Sequence, residues 1–173
     1  MAFKRTYQTQ FSRRKKGQTN YAKRLALLKS KQNRVAIRNS NQGLTVECIA
    51  YQTDGDRVLA FAVARDIRKS GWKKSLSNIP AAYLTGILAG HRMKTAGVGN
   101  VVLDLGLQKA HHGGRLFAAA KGVIDAGIAL NVNADVFPSD DRLHGKHIQG
   151  FAENVETVKQ AILNSKVQKK GEH

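Results

Sequence analysis

Apolar residues change their spacing along this chain, and each change predicts a different element. Residues 20–29 have leucines at helical intervals, and Thr19 stands before them as the expected N-cap. Between residues 35 and 63 the apolar period shortens to two, and polar turn sequences interrupt it twice. This pattern predicts a three-stranded antiparallel meander. Its third strand, residues 58–63, is apolar at every position and is therefore expected to be buried on both faces.

The second half of the chain alternates helical and extended patterns. Asn78 is the expected N-cap of a long helix, which has Pro80 in its first turn and ends at Gly97. A short run of apolar residues follows this helix, and two helical patterns come after that run. The predicted elements are a helix at 79–96, a strand at 101–105, a helix at 115–126 and a last helix from 150 or 151 to 164.

Small residues recur at every fourth position of the long helix, namely Ala82, Gly86 and Gly90, and predict that its backbone approaches a sheet closely. A meander followed by helix, strand and helix predicts an α/β fold, with helices packed on a mixed sheet. The predicted organisation is a basic arm that is disordered without a partner (1–18), an α/β domain (19–149) and a C-terminal helix with a basic tail (150–173).

Composition argues against several classes of protein. The 173 residues contain no apolar run of about eighteen residues, so no membrane span is expected. The N-terminus lacks the apolar core of a secretory signal peptide. Cys48 is the single cysteine, which argues against a disulfide framework and a thiolate metal site. The reducing cytoplasm is the expected compartment.

Positive charge is concentrated at the N-terminal end. The formal net charge is +17, and the first 46 residues contain twelve Lys or Arg but no Asp or Glu. This asymmetry indicates a polyanionic partner. Aromatic residues interrupt the arm at intervals of four, which suits stacking on bases. The basic residues of the arm are Lys4, Arg5, Arg13, Arg14, Lys15 and Lys16.

A second basic cluster has the sequence RDIRKSGWKK at residues 65–74, between a predicted strand and a predicted helix. One interpretation is a solvated charged run around a structural Trp72. The other is a loop that grips phosphate, with Trp72 stacking or bracing it. We favour the second interpretation, because loops between regular elements commonly carry function.

Two further segments allow both a structural and a binding interpretation. The sequence RNSN at 38–41 suits a turn, and it equally suits contacts with a base edge or a 2′-hydroxyl. The sequence HHGGR at 111–115 either caps a helix or forms an anion site from glycine amides, the helix N-terminus and Arg115. A metal site is disfavoured there, because no carboxylate or thiolate stands nearby at a ligand spacing.

Catalysis receives little support from the carboxylates. Asp104 lies in a predicted strand, as a ligand of a two-metal nuclease would. Asp125, Asp140 and Asp141 have structural interpretations near helix ends, and no spacing brings three carboxylates together. A metal-dependent nuclease on a related α/β scaffold is the alternative from another functional class. A general DNA-binding chromatin protein is a third hypothesis.

Several segments, taken in order over about residues 5–150, resemble one family. They are TNYAKRLALLKS (19–30), RNSN (38–41), PAAYLTGILAG (80–90), VLDLGL (102–107), GRLFAAAKG (114–122), DAG (125–127) and RLHGKHI (142–148). On these segments the chain is similar to the large-subunit ribosomal protein that binds 5S ribosomal RNA, the universal L-eighteen family, in its archaeal branch. The chain departs from the family at residues 110–114. A Pro-rich turn and a Ser are expected before Arg115, and this chain has AHHGG there instead.

The resemblance implies a three-layer α/β domain with a mixed sheet, no catalysis, no cofactor and a cytoplasmic location in the ribosome. The implied partners are 5S rRNA at the central protuberance, 23S rRNA near the arm, and neighbouring large-subunit ribosomal proteins. The resemblance and the basic clusters together give a set of expected RNA contacts. They are Lys4, Arg5, Arg13, Arg14, Lys15, Lys16, Tyr21, Arg24, Arg38, Ser40, Asn41, Arg65, Arg68, Lys69, Trp72, Lys73, Lys74, His111, His112 and Arg115.

Overall fold

A computed structural model describes residues 8–165, in which a mixed five-stranded sheet has helices on both sides. The strands, in spatial order β3-β2-β1-β4-β5, are β1 (Asn33–Ser40), β2 (Gly43–Ala50), β3 (Arg57–Val63), β4 (Asn100–Asp104) and β5 (Ala129–Leu130). The α-helices are α1 (Ser12–Lys15), α2 (Tyr21–Lys29), α3 (Ile79–Thr95), α4 (Arg115–Asp125), α5 (Asp140–Leu143) and α6 (Ala152–Asn164). Short 3-10 helices span Ala64–Ser70 and Ala134–Val136. The predicted α/β class with a mixed sheet is confirmed.

The register of the central strand determines which side chains share a face. Strand β1 pairs antiparallel with β2 and parallel with β4, and β2 pairs antiparallel with β3, as the predicted meander requires. Val35 lies opposite Cys48, and Ile37 lies opposite Val46. All four side chains are fully buried in the core, to which α3 and α4 also contribute. We call this the helix-covered face of the sheet.

The glycines of α3 pack closely against α4, although the helix also contacts strands β2 and β3. A Cβ atom added at Gly86 would collide with the carbonyl oxygen of Ala119, and one added at Gly122 would collide with that of Tyr83. The stripe of small residues therefore lies at a helix–helix contact, and the prediction that this stripe faces the sheet is wrong. The reason is that both helices lie on the same face of the sheet, where small residues let their backbones touch.

The N-terminal segment is partly ordered within the described residues. Residues 12–15 form the single turn of α1, Phe11 packs against Tyr21 with ring centroids 5.1 Å apart, and Arg13 Nε donates to Thr19 Oγ1. This turn differs from the predicted disorder of the arm, and residues 1–7 of the arm lie outside the described residues. The N-cap of α2 is Asn20 rather than Thr19, because the Asn20 side chain accepts from the Lys23 amide.

Strand β3 forms the edge of the sheet. Its predicted burial on both faces is wrong, because Val58 and Phe61 remain 50% and 45% exposed. The side chain of Arg92 covers part of the outer edge of β3. Its Nη1 donates to the Phe61 carbonyl oxygen (2.7 Å) and pairs with Asp66 (2.7 Å). An arginine at this position occupies a backbone acceptor that another strand would otherwise use.

The C-terminal helix contributes to the core. Val155, Val158 and Ile162 of α6 are fully buried, as their spacing predicts, whereas Leu163 is largely exposed. The division into an arm, a domain and a C-terminal segment stays a prediction, and the tail at 166–173 is not among the described residues. Between residues 8 and 165, no helix is both long enough and apolar enough to span a membrane.

Candidate nucleic-acid interface

Five side chains of alternating charge cross the face of the sheet opposite α3 and α4. Asp56 Oδ2 accepts from Arg24 Nη2 (2.8 Å) and from Arg34 Nη2 (2.7 Å). Asp104 Oδ2 accepts from Arg34 Nη1 (2.8 Å) and, at 3.4 Å, from Arg38 Nη2. We call these five residues the ion-pair network. It connects α2, the turn before β3, and strands β1 and β4.

Strand alternation explains the position of the network. Arg34 and Arg38 alternate with Val35 and Ile37 along β1, so the arginines point away from the helix-covered face. Ala36 lies between the two arginines on their side of β1 and is the parallel partner of Asp104 on β4. The Asp104 carboxylate therefore projects between the two guanidinium groups.

Arg34 is the buried centre of the network. Its side chain is only 4% exposed, and its two Nη atoms donate to different carboxylates. Its Nε has no hydrogen-bond partner among residues 8–165. A buried cation is costly unless opposite charges surround it. Asp56 and Asp104 therefore compensate Arg34 from two sides, and each also bonds one outer arginine.

Arg38 is held in a defined position at the end of β1. Its Nη1 donates to the carbonyl oxygens of Asp104 (2.8 Å) and Ile37 (3.1 Å), while its side chain remains 42% exposed. Gly106 has a φ of +60° and donates its amide to Asp104 Oδ1 (2.8 Å). A Cβ at this glycine would lie 3.2 Å from Arg38 Cζ, so a larger residue would crowd the guanidinium group.

The segment RNSN ends strand β1 and begins the turn to β2. Ser40 Oγ donates to the Gly43 carbonyl oxygen (2.9 Å), and the Asn41 carbonyl oxygen accepts from Ser77 Oγ (2.8 Å). The Ser77 carbonyl oxygen in turn accepts from Arg115 Nη1 (3.0 Å). Ser77 therefore brings together two predicted sites that lie far apart in the sequence.

The basic cluster at residues 65–74, which we call the basic loop, surrounds a buried tryptophan. Trp72 is 1% exposed, its Nε1 donates to the Ser75 carbonyl oxygen (3.0 Å), and its ring meets Phe151 edge-on at 5.7 Å. A stacking role for Trp72 on RNA is therefore wrong, because the ring is buried in the core, from which Trp72 braces the loop. The exposed cations around it are Arg65, Arg68, Lys69, Lys73 and Lys74.

The turn before α4 uses its own amides. The Gly113 amide donates to Val136 and the Gly114 amide donates to His111, which leaves neither glycine amide for an anion. These bonds favour the helix-capping interpretation. His111 and His112 are exposed, and the ring of His112 meets Phe117 edge-on.

The arm contributes a separate group of cations. Arg13, Arg14, Lys15 and Lys16 are all exposed, in and immediately after α1. Lys4 and Arg5 lie outside the described residues. Among the predicted contacts, the ion-pair network joins Arg24 to Arg38, and the basic loop forms its own cluster.

Sequence reasoning did not identify Arg34, Asp56 and Gln108 as parts of the candidate site. Gln108 exchanges side-chain bonds with the backbone of Asn39, and so holds the strand end next to Arg38. The alternation of β1 places Arg34 opposite the core, but its burial follows from contacts with residues 22 and 70 positions away. A short-range pattern carries no signal for such pairs.

Side chains for metal chemistry are not grouped. From residue 8 to residue 165, no three His, Cys, Asp or Glu side chains are placed to share a metal ion. Both oxygens of Asp104 are already bonded, to Arg34 and to the Gly106 amide. Burial raises the pKa of the Cys48 thiol to about 11, so this residue stays protonated near neutral pH.

Comparison with known proteins places these features in one family. The family model described as ribosomal large subunit proteins 60S L5 and 50S L18 matches residues 5–98. The chain is 46% identical over 156 residues to the large ribosomal subunit protein uL18 of Korarchaeum cryptofilum, an alignment covering 90% of this chain and 80% of the relative.

Two other relatives match over nearly the whole length. The chain is 42% identical to the large ribosomal subunit protein uL18 of Methanocorpusculum labreanum, with coverage of 94% of this chain and 98% of that protein. It is 37% identical to the uL18 protein of Methanobrevibacter smithii, with coverage of 99% and 89%. The family model ends before β4 and Asp104, while the alignments with these three relatives cover at least 90% of this chain, and the chain belongs to the uL18 family of large-subunit ribosomal proteins.

Proposed function

We propose that this protein binds 5S rRNA and attaches it to 23S rRNA in the central protuberance of the large ribosomal subunit. The observation that carries the proposal is a set of exposed cations on a uL18-family chain with a net charge of +17. In this proposal the protein is a structural component without catalytic activity. It works in the cytoplasm and touches neighbouring large-subunit proteins.

The mechanism combines charge neutralisation with shape. Cations that neutralise phosphates release condensed counterions, which supplies a large share of the affinity. Phosphate contacts fix the orientation of the protein, while contacts with 2′-hydroxyls and unpaired bases distinguish the folded RNA. The proposed contacts are the predicted set without the Trp72 ring, which stays in the core and supports the basic loop.

The test is a binding assay with labelled 5S rRNA over a series of KCl concentrations. We expect the logarithm of the association constant to fall linearly with the logarithm of salt concentration, and excess duplex DNA to leave the complex intact. Deleting residues 1–18 should flatten the salt dependence, because exposed arm cations are lost. Circular dichroism of the shortened chain checks that the domain is still folded.

Two outcomes would contradict the proposal, and a third would exclude the arm from it. Efficient displacement of 5S rRNA by duplex DNA would favour a general DNA-binding protein. Cleavage of RNA in Mg²⁺ or Mn²⁺, abolished by Asp104→Asn, would favour a nuclease. An unchanged salt slope after deletion of residues 1–18 would remove the arm from the RNA interface.

A further inference from the structure

The outer arginines of the ion-pair network retain donors that no other part of residues 8–165 uses. Arg24 bonds Asp56 through Nη2 alone, which leaves its Nε and Nη1 without a partner in that range. Arg38 bonds through its two Nη atoms and leaves Nε unused there. The network thus ends in a cation with spare N–H groups at both ends. A phosphate at each end would continue the alternation of charge.

Packing alone does not fix the position of Arg24. Helix α2 carries no fully buried residue, and Leu25 beside Arg24 is largely exposed. Both Asp56 oxygens accept from Arg24 Nη2, and Asp56 also bonds the buried Arg34. The orientation of the Arg24 guanidinium group therefore depends on Asp56, and through Asp56 on Arg34.

We propose that Arg34, Asp56 and Asp104 are positioning residues that hold Arg24 and Arg38 as one preorganised, two-pronged site for RNA phosphates. This inference rests on the proposed function and assigns a role within the same surface. Arg34 is buried and does not touch RNA itself. Fixing both outer guanidinium groups before binding reduces the ordering cost of association.

The fork of Arg34 is the element that a lysine does not reproduce. Arg34 reaches Asp56 with Nη2 (2.7 Å) and Asp104 with Nη1 (2.8 Å) from one planar group. A lysine keeps the charge but lacks a planar arrangement of donors. Arg34→Lys therefore separates the positioning effect from the charge effect.

The principal experiment compares two neighbouring aspartates. Asp56→Asn and Asp54→Asn raise the net charge equally, but Asp54 is exposed and makes no side-chain bond within residues 8–165. General electrostatics predicts slightly tighter RNA binding for both variants. Positioning predicts that Asp56→Asn binds 5S rRNA about tenfold more weakly, with a salt slope lower by about one, while Asp54→Asn binds at least as tightly as the unaltered protein.

Arg34→Lys provides the second readout, with Arg57→Lys on an exposed position of β3 as its control. We expect Arg34→Lys to lower both the affinity and the salt slope at unchanged net charge, and Arg57→Lys to change neither. Urea unfolding of each variant gives the folded fraction, by which affinities are corrected. Should Arg34→Lys not fold, the two aspartate variants decide the question.

The outcomes separate the inference from the function on which it rests. If the unaltered protein does not prefer 5S rRNA over duplex DNA, the proposed function fails. If it does, but Asp56→Asn binds as Asp54→Asn does, the two-pronged site is overturned. Weaker binding by Asp56→Asn with an unchanged salt slope would also overturn it, because no phosphate contact would have been lost.

Discussion

Strand β1 contributes side chains to both faces of the sheet, and the two faces are stabilised differently. On the helix-covered face, Val35 and Ile37 are fully buried among apolar side chains. On the opposite face, Arg34 is almost as inaccessible but lies between two carboxylates. The first face depends on filled volume, which is not directional. The second depends on a few bonds of fixed geometry, so it can hold charged groups in place at a surface that remains partly open.

The first way to break this comparison is to remove volume from the helix-covered face. Ile37→Ala should lower the free energy of unfolding by about 4 kcal/mol, because it leaves a cavity in a packed core. Val58→Ala on the exposed edge strand should cost no more than about 1 kcal/mol. Urea denaturation measures both. Equal losses would mean that the two sites are equally packed, contrary to the structure.

The second way is to remove the central cation from the opposite face. Arg34→Met keeps a long side chain but leaves Asp56 and Asp104 facing each other without a cation between them. We expect a loss of about 3 kcal/mol, since breaking a buried pair strands its partner charge. Arg57→Met, at an exposed position of β3, should cost less than about 0.5 kcal/mol. A similar small loss for Arg34→Met would show that the network contributes little to folding.

The third prediction has the smallest expected effect, and it tests how strongly the helix-covered face disfavours a buried charge. Burial raises the pKa of Cys48 to about 11, above the value of about 8.5 in an unfolded chain. The folded state thus favours the protonated thiol. Its contribution to stability is complete below about pH 8.5 and is lost as the pH rises towards 11.

Between about pH 8 and about pH 10, the unfolding free energy of the unaltered protein should therefore fall by about 2 kcal/mol relative to that of Cys48→Ala. Urea unfolding of both proteins at the two pH values measures this change, and the alanine variant controls for other titrating groups. A constant difference would show that the thiol ionises equally in both states.

Much of this fold could be predicted from local pattern. Asn78, Pro80 and Gly97 predicted α3 to within a residue, because caps and helix-terminating residues act over a few positions. The apolar period of two predicted the meander, because the alternation of side chains between the two faces of a strand is also a local property. The burial of β3 was predicted wrongly, because edge position depends on the order of strands, which an apolar run does not encode.

The candidate site likewise contains features that are local in the sequence and features that depend on distant contacts. Exposed cations of the arm and the basic loop are visible in composition alone. The Trp72 ring was misassigned, because its position among cations suggested exposure while Phe151, far along the chain, covers it. The ion pairs that connect the predicted contacts Arg24 and Arg38 were missed, because Arg34 meets Asp104 only when β1 and β4 pair in parallel. Contacts of that range arise from topology rather than from spacing.

Arg92 has a consequence for how the isolated protein meets other copies of itself. Its bond to the Phe61 carbonyl occupies an acceptor on the free edge of β3, and its pair with Asp66 keeps it there. A second copy adding a strand at that edge would first have to displace this side chain. We therefore expect Arg92→Ala to raise the tendency of the isolated protein to self-associate through β3, a change that light scattering would measure.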